Sequence, residues 1–319
     1  MDRLADRGPQ VMHAPIRTVI IPAAGKGTRL LPATKVTAKE LLPVYDRPVI
    51  EFAMDEAIDA GAERIIVVIS QTKTAIRDYL GHDVPGTNNS KRDRGQVVNA
   101  QSAPEIVYVF QDQPLGLGHA VLCCKGLTLP GPFGVILPDD IIMGQACLAE
   151  MAERYESGQM VAAMKVTPQE TSQYGIFQLT GLPNDRCIPV SGMVEKPDAG
   201  QAPSSIAAVG RYILQPMIFE VLAHTPQGSG GEVQLTDAIA IATHAIPLTA
   251  FQFSGTRYDC GNHDGLLAAS IARQGQVRGN GPDDALQMRS PIVAADRLAA
   301  LHQRPGLMIP SSRAQAEAG

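Results

Sequence analysis

Tryptophan is absent from the 319 residues, and aromatic residues make up only 4% of them. Proteins that grip single-stranded nucleic acid stack bases on aromatic side chains, so this composition argues against that role. Positive charge is not in excess either. The chain has 27 Lys and Arg against 32 Asp and Glu, a formal net charge of −5, whereas domains that bind nucleic-acid polymers are ordinarily basic. Five cysteines (Cys123, Cys124, Cys147, Cys187 and Cys260) form no C-x-x-C pair and are odd in number. Neither a disulfide framework nor a zinc site follows from that spacing, and a reducing cytoplasm is the expected setting. No run approaches the roughly 20 apolar residues of a membrane helix. The N-terminus carries Asp2, Arg3, Asp6 and Arg7 and lacks the apolar stretch of a signal peptide. The expectation is a protein with neither a nucleic-acid polymer nor a membrane as partner.

What remains is enough for a packed core. Hydrophobic residues are 45% of the chain, and the length suits one large α/β domain or two smaller ones. Residues 1–16 read as a flexible leader. Val19 to Ile21 is a candidate central strand, followed by a small-residue loop from Ala23 to Thr28. Pro48 to Ala60 has helical periodicity and ends at Gly61. The continuous apolar run Arg64 to Ile69 suits a parallel strand buried on both faces, and a helix is expected over Lys73 to Leu80. Gly81 to Ala103 is polar and reads as a surface excursion. Strands are then expected at Ile106–Phe110 and Phe133–Leu137, with a second Gly-rich loop, Gln111 to Ala120, opening a helix between them. This alternation is that of a doubly wound nucleotide-binding sheet. Further on, helices are expected at Cys147–Ser157, Pro216–Ala223, Gln234–Thr243 and His263–Ala272, and strands at Met160–Val166, Tyr174–Leu179, Val190–Lys196, Ile206–Leu214 and Leu248–Phe253. The main folded domain is placed at 17–278. A C-terminal extension, 279–319, has helical pieces expected between Asp284 and His302 and a tail from Arg304.

The first loop carries the chemistry. An apolar strand running into a Gly-rich turn presents backbone N–H groups to an anion, and Arg29, Lys35 and Lys39 follow within one loop length, which points to a polyphosphate. The dinucleotide fingerprint G-x-G-x-x-G fits Gly25 and Gly27 but fails at Leu30, and a Walker A loop would need its Gly and Lys in another order. What is left is Ala24-Gly-Lys-Gly-Thr-Arg29 followed by Lys39-Glu-Leu-Leu-Pro43.

That pair of segments resembles the signature of the sugar nucleotidylyltransferases, in particular members that transfer uridylyl groups to glucose 1-phosphate. Further segments extend the resemblance in family order over residues 17–275: Pro114 to Ala120, Leu137 to Asp140, Tyr174 to Phe177, Met193 to Pro197, Val209 to Tyr212, Gly231 to Ala238 and Asp259 to Asn262. It implies a Rossmann-like nucleotidyltransferase fold, a three-layer α/β/α sandwich with a mostly parallel mixed central sheet, and a homodimer or homotetramer. It also implies Mg²⁺-dependent conversion of UTP and glucose 1-phosphate into UDP-glucose and pyrophosphate. In such a reaction the sugar-phosphate oxygen attacks the α-phosphorus in line, and cations and positioning matter more than a nucleophilic side chain.

On that footing Arg29 and Lys39 are the catalytic cations for the triphosphate, a fork-shaped guanidinium suiting two phosphate oxygens. Lys35 and Lys26 carry no firm role, and Glu40 is divided between ordering the loop and touching the nucleotide. Asp139 follows a strand directly, so its carboxylate faces the ligand crevice, and Mg²⁺ favours one or two carboxylates beside phosphate oxygens. Asp139 is the first metal ligand expected; Asp140 points elsewhere. The resemblance adds Asp259 as a second ligand, with a single-carboxylate site as the alternative. It assigns Glu195 to glucose hydroxyls and Lys196 to the sugar phosphate. Gly175, and similarly Gly210, would let backbone N–H groups reach the sugar, with Glu232 a weaker candidate. Backbone at Ala23, Ala24, Gly25, Gly27 and Gly116, with the Gln111 amide, is expected to meet the nucleotide. His119 is assigned no acid–base role. Three alternatives remain open: dTTP or a different sugar 1-phosphate as substrate, a catalytically silent regulatory relative and, more distantly, a nicotinamide-dependent oxidoreductase.

Overall fold

Val19, Ile20 and Ile21 are fully buried, and they alternate between two cores. They belong to β1 (Thr18–Pro22), which pairs in parallel with β4 (Arg64–Ile69) on one side and β6 (Phe133–Ile136) on the other. In β4 the same alternation sends Ile65, Val67 and Ile69 to one core and Ile66 and Val68 to the other. Such strands must be apolar at every position because both faces are covered. Each fully buried aliphatic side chain contributes roughly 1.5–3 kcal/mol.

The structure is a computed structural model and describes residues 15–81, 103–182, 184, 186–198 and 200–279. The excursion and the helical pieces expected over residues 82–102 and 280–319 lie outside the described residues, as does nearly all of the leader. Residues 1–270 form one unit and 271–319 a second, of which only the end of a helix is described.

β5 (Glu105–Phe110) flanks β4 in parallel. Beyond β6 the sheet continues through β11 (Ile206–Leu214), β8 (Gln159–Lys165), β12 (Leu248–Gln252), β10 (Cys187–Glu195) and β9 (Gly175–Leu179). The order is β5-β4-β1-β6-β11-β8-β12-β10-β9. β10 and β11 run against the other seven strands, so the sheet is mixed with one dominant direction. On one face lie α1 (Val49–Asp59) and α4 (Cys147–Arg154). On the other lie α3 (Leu117–Leu122), α5 (Ile218–His224) and α6 (Leu235–Ala242). The sandwich therefore has three layers. α2 (Thr74–Gly81) follows β4, and α7 (His263–Arg278) closes the described chain. Gly61, at φ 84°, terminates α1 as expected. The N–H groups of Gly61 and Ala62 close back on Ile58 and Ala57, the Schellman arrangement.

Two small sheets depart from the sequence reading. β2 (Pro43–Val44) and β3 (Arg47–Pro48) form a tight hairpin. More consequentially, β7 (Asp140–Met143) pairs antiparallel with β13 (Thr256–Asp259), setting Asp259 opposite Asp140. Four residues give too little periodicity to detect, and the partner strand lies more than 100 positions away.

Candidate active site

The two Gly-rich loops, the ends of β6, β9 and β10 and the middle of β11 surround a cleft of about 650 Å³. Among the described residues, the backbone N–H groups of Ala24, Gly25, Lys26 and Gly27 donate to no protein acceptor. Four undirected donors in a turn form an anion cradle. Gly27 holds φ 67°, and its carbonyl accepts a hydrogen bond from Thr34 Oγ1 at 2.7 Å, which fixes the turn. Ala23 is fully buried, its N–H donates to Val68 O and its carbonyl accepts from Lys73 Nζ, so its N–H is already used and it braces the loop.

Lys39 reaches across the cleft floor to Asp139, Nζ to Oδ2 at 2.5 Å. Burial works to lower the Lys39 pKa, but the Asp139 and Glu40 carboxylates together outweigh it and the ammonium is held above its ordinary range. Burial likewise opposes ionisation of Asp139, yet Lys39 carries it below the usual carboxylate range. Arg29 is largely exposed, with Nη1 3.6 Å from Asp259 Oδ2. Gly261 marks where these groups converge. A Cβ there would stand 2.9 Å from Asp259 Oδ1, 3.0 Å from Asp139 Oδ2 and 2.5 Å from an Arg29 nitrogen. Two carboxylates about one glycine-sized space make a donor set that fits a small hard cation completed by phosphate oxygens, although Asp259 itself does not line the cleft.

Asp139 and Asp259 are 120 positions apart, and backbone contacts bring them together. The Cys260 N–H donates to Asp139 O at 2.7 Å. Asp140 turns away: its Oδ1 pairs with Arg257 and its Oδ2 accepts the Gly210 N–H at 3.0 Å. Beneath the turn, Arg211 is 1% exposed. It pairs with Glu56, Nη2 to Oε2 at 2.6 Å, and donates from Nη1 to the carbonyls of Leu137 and Asp140. Gly210 is thereby corrected. Its N–H is already used, and a Cβ would lie 2.6 Å from Leu137 Cβ and 2.9 Å from Asp140 Oδ2, so its missing side chain serves packing although it borders the cleft.

At one end of the cleft Gln111 is buried, with Nε2 donating to Gly116 O at 3.1 Å and contacting His119 Nδ1 at 3.0 Å. Gly116 holds φ 92°, and its N–H has no partner among the described residues. The segment after Gly231 clamps this loop. Val233 N–H donates to Leu115 O, Gly118 N–H donates to Val233 O, and a Cβ on Gly118 would fall 2.6 Å from that oxygen. Glu232 therefore sits beside Gly116, at the cleft wall.

At the other end, Glu195 ends β10 opposite Gly175. A Cβ on Gly175 would be 3.3 Å from Glu195 Oε2 and 3.1 Å from Thr236 Cγ2. Lys196 Nζ is 3.3 Å from Glu195 Oε1, and its backbone has φ 42°, held by its N–H donating to Tyr174 O at 3.0 Å. A non-glycine residue in that region carries strain of about 1–3 kcal/mol, a feature concentrated at functional sites.

Of the supports, the sequence reading left Glu40 divided between ordering the loop and touching the nucleotide, and it missed Lys73 and Arg257. Glu40 is wholly buried on Lys73, Oε2 to Nζ at 2.7 Å, where burial pushes Glu40 up and Lys73 down in pKa. Lys73 follows β4 at the ligand edge of the sheet, a signal that was available. Arg257 hydrogen-bonds Tyr174 Oη at 3.1 Å and so ties the Asp140 hairpin to the wall holding Gly175 and Lys196. Burial opposes its charge, Asp140 outweighs that, and its pKa is raised. Nothing in the local sequence singled it out.

The chain is similar to proteins whose chemistry matches this cleft. The UTP–glucose-1-phosphate uridylyltransferase of Bacillus subtilis (strain 168) is 39% identical over 266 residues, 80% of this chain and 90% of that protein. A crystal structure of UDP-glucose pyrophosphorylase complexed with UDP-glucose superposes with a TM-score of 0.74 at 38% identity, covering 82% of this chain and 99% of that one. The UTP-bound enzyme of Acinetobacter baumannii superposes at 0.72 with 34% identity, covering 87% and 99%. The family model described as nucleotidyl transferase matches residues 18–274. That span takes in both Gly-rich loops, the Asp139 turn, the Glu195–Lys196 wall and the Asp259 hairpin, and by this measure the chain belongs to the nucleotidyl transferase family.

Proposed function

We propose that this chain is a UTP–glucose-1-phosphate uridylyltransferase, forming UDP-glucose and pyrophosphate. The observation that carries the reading is one cleft with two differently charged ends. Free N–H groups of Ala24 to Gly27, with Arg29 and Lys39, face one side, and Glu195 and Lys196 face the other. The first set suits a triphosphate, and the second suits a sugar bearing one phosphate. Arg29 and Lys39 hold the phosphates that leave as pyrophosphate. Lys196 draws the sugar phosphate toward the α-phosphorus while Glu195 accepts from sugar hydroxyls, and Gly175 leaves room for the ring. The acceleration comes from holding two anions in line, a positioning effect. Asp139 and Asp259 are the residues that would hold Mg²⁺, which when bound neutralises charge on the phosphate oxygens. The catalytic part is taken as residues 17–278, between a leader, 1–16, and an extension, 279–319. No helix of the described residues is long and apolar enough to cross a membrane. Homodimer or homotetramer assembly in the cytoplasm accompanies the reading.

The test is pyrophosphate release by the purified protein with UTP, glucose 1-phosphate and Mg²⁺. Turnover with UTP preferred over dTTP is expected. A higher kcat/KM with dTTP would overturn the base assignment, and no turnover with any pair would favour a silent relative.

A further inference from the structure

We propose that His119 is a specificity-determining residue that acts through Gln111: its Nδ1 takes the second amide proton and leaves only the amide oxygen to read the base. The inference rests on the reading of the cleft as a pyrimidine nucleotide site. Gln111 is 6% exposed and lines the cleft. A primary amide has two N–H donors and one oxygen acceptor. Two acceptors flank Nε2: Gly116 O at 3.1 Å and His119 Nδ1 at 3.0 Å. Both donors are therefore spent inside the protein. Turning the amide over would set Oε1 against the Gly116 carbonyl, which has no proton to offer, so that carbonyl decides which end is nitrogen. His119 Nδ1 can accept only when the ring proton sits on Nε2, which assigns the tautomer. The Cys123 thiol, 3.8 Å from the same nitrogen, is pushed toward its protonated form by burial and adds no charge.

The consequence is chemical. Uracil and thymine present an N3–H donor, which pairs with the remaining Oε1. Cytosine presents a bare N3 acceptor, which faces oxygen lone pairs instead. Without the His119 acceptor, one Gln111 N–H is released, and the amide can serve an acceptor base as readily as a donor. His119 is held in place for this. Its neighbour Gly118 is fixed by the hydrogen bond to Val233 O and tolerates no Cβ.

Two substitutions separate this role from simple packing. His119→Phe keeps a ring and removes the acceptor, whereas His119→Asn places an amide oxygen close to the position of Nδ1. The measurements are kcat and KM for UTP, CTP and glucose 1-phosphate, calorimetric binding of UTP and CTP, and Tm. His119→Phe is expected to lower the UTP over CTP preference about tenfold, the worth of one hydrogen bond. The loss should be carried by the KM and Kd for UTP, with KM for glucose 1-phosphate unmoved, and His119→Asn should restore most of the preference. Three results would overturn the proposal: an unchanged preference in His119→Phe, an equal loss in His119→Asn, or a loss that appears only alongside a fall in Tm and a raised KM for glucose 1-phosphate. A wild-type protein that binds neither nucleotide would instead strike the reading of the cleft itself.

Discussion

Replacing Glu56 by alanine removes the counter-charge of a guanidinium that is 1% exposed. Arg211 contacts Glu56 through Nε at 3.0 and 3.2 Å and through Nη2 at 2.6 Å, and Glu56 also accepts the Leu148 N–H at 3.0 Å. Burial alone would lower the Arg211 pKa, and the Glu56 carboxylate, with Asp140 nearby, more than reverses it; a guanidinium keeps its proton even without a partner, so Glu56→Ala leaves a buried charge uncompensated. Breaking a buried pair in this way costs about 3–5 kcal/mol, a large fraction of the roughly 5–15 kcal/mol of a typical domain. For a unit of this size that is a fall in Tm on the order of 10 °C. The assay is urea and thermal denaturation of wild type, Glu56→Ala, and the double variant Glu56→Leu/Arg211→Met. The double variant is expected to recover much of the stability, since apolar replacement of a buried pair is commonly close to neutral. Turnover should part company with stability there. Arg211 also holds the Leu137 and Asp140 carbonyls that bracket Asp139, so the double variant should need more Mg²⁺ for half-maximal rate. A Glu56→Ala protein within about 1 kcal/mol of wild type would refute the reasoning.

Asp139→Ala is expected to abolish most turnover while its circular dichroism remains near wild type, because backbone groups and Asp140 still pin the turn; it also strips Lys39 of its partner at 2.5 Å, so Tm should fall, though by less than in Glu56→Ala, since Lys39 lies at the cleft and not in the core. Lys196→Ala should likewise lose most turnover, with calorimetric UTP binding retained, since its charge lies at the sugar end. Gly265→Ala places a Cβ 1.8 Å from the Asp259 carbonyl; the start of α7 must shift, so both a lower Tm and a higher Mg²⁺ requirement are expected by denaturation and rate titration. Glu150 accepts from Ser254 N and Oγ and pairs with Arg186 Nη1 at 2.9 Å. Burial opposes its charge, but the Ser254 bonds and Arg186 prevail and hold its pKa below the ordinary glutamate range. A lowered folded pKa stabilises above the unfolded value and ceases to do so as pH falls through the folded one. The gap in Tm between wild type and Glu150→Gln should therefore be constant from pH 7 to pH 5 and shrink below the glutamate range.

The layers of the fold were legible because they are written in local pattern. Ile65 to Ile69 is apolar at both parities, which a sheet covered on both faces requires, and the Pro48 to Ala60 helix carries its period and its terminating glycine within one stretch. The grouping of the loop residues was legible for the same reason: Gly25, Gly27, Arg29 and Lys39 lie within fifteen positions of one another. What joins the site together was not. Asp139 faces Asp259 because Cys260 N–H bonds to its carbonyl and because β7 pairs with β13, and neither contact leaves a periodic trace. Glycine misled where its cause was packing. Gly210 reads like Gly175, yet one clears space beside Leu137 and Asp140 while the other borders Glu195 and Thr236. The distinction depends on which atoms stand opposite, and those atoms come from distant segments. Lys39 carries the same dependence into the chemistry. Its motif announces a phosphate ligand, but in the protein alone its ammonium rests on Asp139, each holding the other charged. The cleft therefore keeps its cation and its carboxylate ionised and desolvated together before any substrate arrives. On the proposed reading, a triphosphate entering beside Lys39 would meet a charge already stripped of much of its water, and would have to outcompete the Asp139 carboxylate at 2.5 Å for that ammonium.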